Sequence, residues 1–184
     1  MNIISNWFFK ISHTWVTILG LTVFILFTIF ILPAQSHNAE ARSGNDQSPD
    51  TSFLYNKEDL YQMAELYDQP GRDAYIRARY QFDIIWPIVY TFFLMTSISW
   101  LGLRGLSPES HYKVLNLIPL LGLTFDFLEN LSASLVMLRY PSLTPGLDFL
   151  VPVFTFFKWI FLGISFVILI TLLVLFLKRV LTKS

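Results

Sequence analysis

The chain contains no cysteine and little charge. Without cysteine it has no disulfide staple, no thiol redox chemistry and no thiolate metal site. Histidine is scarce too: His13, His37 and His111 fall near or beyond the ends of the long apolar runs, so no histidine metal centre is expected inside them. Lysine plus arginine and aspartate plus glutamate each total 13, so the formal net charge is zero. That balance leaves no electrostatic footprint for nucleic acid. Charged residues are 14 % of the chain, against about 25 % in a soluble domain. Hydrophobic residues are 54 %. This mismatch excludes an ordinary water-soluble globule, and 184 residues allow one integral membrane domain, 1–184. No P-loop, histidine metal motif or nucleophile–base set is present, and no cofactor is expected.

What is present is apolar length. Four stretches, roughly residues 14–32, 82–103, 114–138 and 149–177, reach the about 18 mostly apolar residues that a membrane span needs. The expected fold is all-α, a four-helix transmembrane bundle in the cell membrane with the bilayer as its partner. Basic residues of short loops orient such a bundle. Lys10, Arg104, Lys113, Lys178, Arg179 and Lys183 fall on one side of four spans, which predicts both termini in the cytoplasm and residues 34–80 outside. Arg77 and Arg79, which abut the second span on the outer side, run against this trend. The first span has a second reading as a cleaved secretory signal, since Ala34-Gln35-Ser36 resembles a cleavage site. Its apolar core exceeds the usual 7–15 residues, which favours an uncleaved anchor.

The outer loop divides in two. Residues 36–52 are polar and read as a linker. Beyond them Leu60, Met63, Ala64 and Tyr67 recur at helical spacing behind Asn56, which predicts a capped amphipathic helix on the outer surface. Asp68-Gln69-Pro70-Gly71 reads as its breaker, with a new helix from about Arg72 running into the second span. Pro87 and Pro119 predict kinks early in the second and third spans. Ser107-Pro108-Glu109 reads as the N-cap of the third helix.

The spans also carry charge where charge is costly. A carboxylate at bilayer depth costs about 2.5–3.5 kcal/mol on insertion scales. Asp126, Glu129 and Asn130 stand at offsets of three and four, on one helix face. At 1.5 Å per residue, Glu129 and Asn130 lie about 12–14 Å below the outer end of their span, Asp126 about 18 Å, and Lys158 of the next span about 15 Å. Equal depth on antiparallel neighbours predicts an ion pair of Lys158 with Glu129 or Asp126; the alternative is that Lys158 snorkels outward. Asp83 can bond Arg79 one turn away, and Tyr90 continues its face. The candidate cluster is therefore Asp83, Asp126, Glu129, Asn130 and Lys158, with Arg79, Tyr90 and Arg139 in support. A buried pair that only fixes helix register is an equal reading.

The pattern Tyr61…Gly71-Arg72-x-x-Tyr75…Asp83-x-x-x-Pro87-x-x-Tyr90, then Asp126-x-x-Glu129-Asn130 and Arg139-Tyr140-Pro141, resembles that of a group of small uncharacterised bacterial membrane proteins. It spans residues 61–141 and implies a four-span architecture, with no activity attached. Three function classes follow: a non-catalytic accessory, assembly or lipid-binding protein with a protein partner or as a homo-oligomer; an oligomeric proton or ion pathway or small transporter; and an enzyme acting on a lipid-soluble substrate.

Overall fold

The computed structural model describes residues 3–35, 52–106 and 110–182. The described residues form helices joined by turns, and four of these helices are long and apolar enough to cross a membrane: Thr14–Gln35, Gln69–Gly105, Tyr112–Arg139 and Leu147–Leu181. The linker 36–51 and the Ser107-Pro108-Glu109 cap lie outside the described residues.

Helix α1, Ile3–Ile11, was not anticipated from the sequence. It ends where the Ser12 hydroxyl donates to Phe8 O (2.6 Å). Helix α2 begins at Thr14 and loosens into a π-helical turn over Phe27–Ile31. It lies mainly against the second long helix. Gly20 permits that approach: a Cβ there would stand 3.3 Å from Thr96 Oγ1 and 3.4 Å from the Phe92 ring. Phe24 stacks on Phe93 and Trp86.

Helix α3, Lys57–Leu66, is held by a capping box in which the Asp59 amide donates to Asn56 Oδ1 and the Asn56 amide to Asp59 Oδ2. Each such box satisfies amides that the first helical turn leaves without partners. The face that reads as amphipathic is the face that docks. Leu60, Met63, Ala64 and Tyr67 are buried against Ala133, Val136, Met137 and Val151, so α3 docks onto protein.

Helix α4, Gln69–Gly105, starts at the tetrapeptide expected to act as a breaker. Asp68 is its N-cap, accepting from the Gly71 amide at 2.7 Å, and Pro70 sits in the first turn, where a missing N–H costs nothing. Arg72 folds back to donate to the carbonyls of Ala64 and Tyr67, which ties α4 to the end of α3. At 37 residues α4 is about 55 Å long, well beyond a bilayer's roughly 30 Å of hydrocarbon.

The third long helix opens as a 3₁₀ segment, His111–Leu117, capped by Ser110, and becomes α5 over Ile118–Arg139. Pro119 therefore stands in the first α-helical turn. It marks the change of winding, at a position where its missing N–H costs little. Helix α6, Leu147–Leu181, follows a turn in which Gly146 has φ +90°, a left-handed geometry that glycine accommodates without a Cβ clash. Helices α4, α5 and α6 pack on one another, most extensively α5 on α6.

The two ends of the molecule differ. At one end α3 covers the turn between α5 and α6: the Thr144 amide donates to the Tyr61 hydroxyl (2.8 Å), which donates to Asp148 Oδ2. At the other end a buried amide clamps α1 in place. Asn116 accepts from Ser5 Oγ at 2.8 Å and donates to Ser5 O and to Ser99 Oγ (2.9 Å). Asn116→Leu should strand both serine hydroxyls, each at a cost of about 1–3 kcal/mol. Amide exchange over residues 3–11 should then rise while that of α5 and α6 holds. Unchanged protection of α1 would show that the clamp does not hold it.

Candidate functional site

The polar residues of α4, α5 and α6 meet in the interior. Lys158 Nζ on α6 pairs with Glu129 Oε2 on α5. Glu129 is 0 % exposed and Lys158 6 %. Helical rise sets their common depth: Arg139 stands ten positions after Glu129, and Lys158 eleven after Leu147. Both charges thus lie about 15–17 Å from the turn that joins their helices.

Asp126 lies beside this pair, one turn along α5. Its Oδ2 accepts from the Tyr90 hydroxyl of α4 (2.9 Å) and its Oδ1 from Asn130 Nδ2 (2.8 Å). Asn130 also donates to the backbone carbonyl of Asp83 (3.2 Å), so one amide bridges α5 to α4. Asp83 itself pairs with Arg79 at 2.5 Å. The Arg79 guanidinium lies 4.1 Å from the centre of the Tyr75 ring, a cation–π contact. Lys158 stands 5.4 Å from the Trp159 ring centre.

The structure thus places Arg79, Asp83, Asn130, Asp126 and Tyr90 in one chain of contacts between α4 and α5, and Glu129 with Lys158 in a separate pair between α5 and α6. Arg139 does not join them. It is exposed at the C-terminal end of α5, about 15 Å along the helix from Glu129. Its helical offset places it outward, and an arginine at a helix end reaches water or headgroups readily.

Three tyrosines complete the site and two of them escaped sequence reasoning. Tyr55, just ahead of α3, reaches down to Thr155 on α6 (2.8 Å). Since Thr155 also lies 3.0 Å from Val151 O and donates there, the phenol supplies the proton to Thr155. Burial first, and the Glu129 carboxylate second, push the Tyr55 phenol above its ordinary value. Tyr75 on α4 is buried with its hydroxyl free of hydrogen-bond partners among the described residues, and so is Glu129 Oε1. The signal for Tyr75 was available, since it stands one turn before Arg79 on the face of Asp83. Tyr55 left no signal, because its partner is a hundred residues away.

Two cations, Arg79 and Lys158, therefore face three carboxylates, Asp83, Glu129 and Asp126, among the described residues. Two carboxylates hold a cation directly, and Asp126 is met by neutral donors. No group of histidines and carboxylates with metal-binding geometry occurs among the described residues. Above the site, between α3 and the α5–α6 turn, an open cleft of about 410 Å³ is lined by Lys57, Tyr61, Glu65, Tyr140 and Asp148 among others. Compared with known proteins, the chain matches no family model, no curated protein and no solved structure.

Proposed function

We propose that the protein is a multi-pass integral membrane protein of the cell membrane, with both termini cytoplasmic, that acts as a non-catalytic accessory, assembly or lipid-binding module. The observation that carries this reading is that each buried carboxylate is met by a partner within the protein. Glu129 with Lys158 ties α5 to α6, and Asp126 with Tyr90 and Asn130 with the Asp83 carbonyl tie α5 to α4, while Asp83 pairs with Arg79 within α4. Such an arrangement fixes a fold without requiring a substrate. The orientation is supported by the basic residues Lys10, Arg104, Lys113, Lys178 and Arg179, which share one end of the molecule. The resemblance to small four-span bacterial membrane proteins belongs to the same proposal and adds architecture only.

The orientation has a direct test, helped by the lack of native cysteine. Glu65→Cys and Thr182→Cys both lie at exposed positions. An impermeant thiol reagent applied to intact cells should label Glu65→Cys and spare Thr182→Cys. The reverse pattern would invert the proposed topology.

One observation favours a second reading. Among the described residues Glu129 Oε1 and the Tyr75 hydroxyl are buried without hydrogen-bond partners, and such atoms can receive a proton or a polar ligand group. Proteoliposomes carrying a pH-sensitive dye decide between the two. The non-catalytic reading expects proton leak equal to that of empty vesicles. A leak that Glu129→Gln abolishes would replace it with a proton pathway.

A further inference from the structure

Helix α3 is attached to the rest of the molecule differently at its two ends. At its C-terminal end only Tyr67 and Asp68 separate it from α4: Tyr67 closes α3 in an extended conformation and Asp68 caps α4. Arg72 donates to the carbonyls of Ala64 and Tyr67 across this joint, which holds the corner itself. Toward the N-terminal end the polar attachments are single hydrogen bonds. Tyr55 reaches Thr155 at 2.8 Å, and the Tyr61 hydroxyl accepts from the Thr144 amide at 2.8 Å and donates to Asp148 at 3.2 Å. Tyr61 and Asp148 line the open cleft, where water competes for such bonds. Each bond is worth only about two- to tenfold in an opening equilibrium.

Beneath α3 lies a dry layer that leads to the buried ion pair. The apolar face of α3 rests on Ala133, Val136, Met137 and Val151. Ala133 stands one turn beyond Glu129 on α5, and Val151 and Thr155 stand two turns and one turn before Lys158 on α6. The covered residues therefore share helix faces with the pair and stand between it and the α5–α6 turn. Under that cover polar atoms go short of partners. Among the described residues neither Glu129 Oε1 nor the Tyr75 hydroxyl has a hydrogen bond, and Tyr75 belongs to the same cluster as Ala133 and Val151. Water admitted by a displaced α3 would supply bonds to such atoms and offset part of the cost of opening. A helix of ten residues held in this way belongs to the low-stability class of element from which lids are drawn.

We propose that α3 is a lid over the Glu129–Lys158 pair, hinged at Tyr67–Asp68 and latched by Tyr55 and Tyr61, and that its swing admits water to the pair from the α5–α6 turn. The lid goes beyond the function proposed above and does not depend on which way the chain crosses a membrane. Closed, it keeps the carboxylate and the ammonium dry and paired with each other. Open, it makes both available to solutes that approach from that end.

The lack of native cysteine makes the test direct. Single cysteines are introduced into the full chain by Val151→Cys beneath α3, by Ser132→Cys three positions beyond Glu129, and by Ser165→Cys farther along α6, all at buried positions. In mild detergent, the rate of labelling by a water-soluble methanethiosulfonate reagent reports how often each position opens. Tyr61→Phe should raise the rates of Val151→Cys and Ser132→Cys together, by about tenfold, and leave that of Ser165→Cys unchanged. Tyr55→Phe should raise the same two by about two- to tenfold. Amide exchange over residues 57–66 should rise by the same factors, which gives a second measurement where a cysteine variant fails to fold. A rise in that exchange, or at Val151→Cys, without one at Ser132→Cys would overturn the proposal, since the lid would not guard the pair. Equal rises at all three cysteines would also overturn it, because they report unfolding of the whole bundle. Unchanged rates in either tyrosine variant would show that its hydroxyl is no latch.

Discussion

Lys158→Met should be among the most destabilising single changes in this protein, and adding Glu129→Leu should recover most of the loss. The single change leaves Glu129 charged and fully buried between α5 and α6, and breaking a buried pair costs about 3–5 kcal/mol. Replacing both partners by apolar residues removes the desolvated charge together with its partner, which is often close to neutral. A double-mutant cycle read by thermal unfolding in detergent measures the coupling. Strictly additive losses would mean that the two groups do not interact. The double variant has a further use. If it folds as well as the native chain and a cellular role survives, the pair serves architecture. If the fold holds and the role is lost, the charges themselves perform the task.

Leu60→Ala should release α3 from the molecule without unfolding the long helices. Leu60 is 0 % exposed in a cluster with Met63, Tyr67, Val136, Met137 and Val151. Truncating such a leucine costs about 2–5 kcal/mol. A ten-residue helix has little stability of its own and depends on its docked face. Amide exchange over residues 57–66 should accelerate while residues 118–139 stay protected. Tyr55 gives a second readout through tyrosinate absorbance. Docking holds its phenol above the ordinary value, so the docked state keeps the proton where the undocked state has lost it. Stability of docking is then constant below the ordinary phenol value of about 10 and falls as pH rises above it. In Leu60→Ala the phenol should titrate at its ordinary value. Unchanged exchange and unchanged titration together would show that Leu60 does not anchor α3.

The helices were legible in the sequence because apolar length and cap chemistry are local. Asn56 with Asp59, and the spacing of Leu60, Met63 and Ala64, were enough to place α3. What that spacing could not show is the partner of its apolar face, since a bilayer surface and a protein surface demand the same pattern. Helix α1 was missed because nine residues beside a long apolar run add little contrast to its pattern. The Asp68-Gln69-Pro70-Gly71 segment illustrates a different ambiguity: the same residues end one helix and cap the next, and only the Asp68 bond to the Gly71 amide settles which. In the interior, depth arithmetic brought Lys158 to the level of Glu129 because helical rise is fixed. The bonds of Asn130 to Asp83 O and of Tyr55 to Thr155 depend on how helices rotate about their axes, which a single sequence does not encode legibly.

The pairing of Glu129 with Lys158 also has a consequence for how the chain enters a membrane. Synthesis delivers both carboxylates of α5 before the lysine of α6 exists. Alone, α5 would carry two carboxylates costing about 2.5–3.5 kcal/mol each, against favourable increments of only about 0.3–0.6 kcal/mol per apolar residue. Its first helical neighbour, α4, brings Tyr90 to Asp126 but no cation within contact of Glu129 among the described residues. Under the proposed topology, α5 would therefore stay poised at the insertion machinery until α6 emerges, and the two would pass into the bilayer as a hairpin. In a membrane-targeted product stopped after Pro145, Thr124→Cys on α5 should react with a water-soluble thiol reagent, and in one stopped after Leu181 it should be protected. Protection in the shorter product would show that α5 needs no lysine to enter.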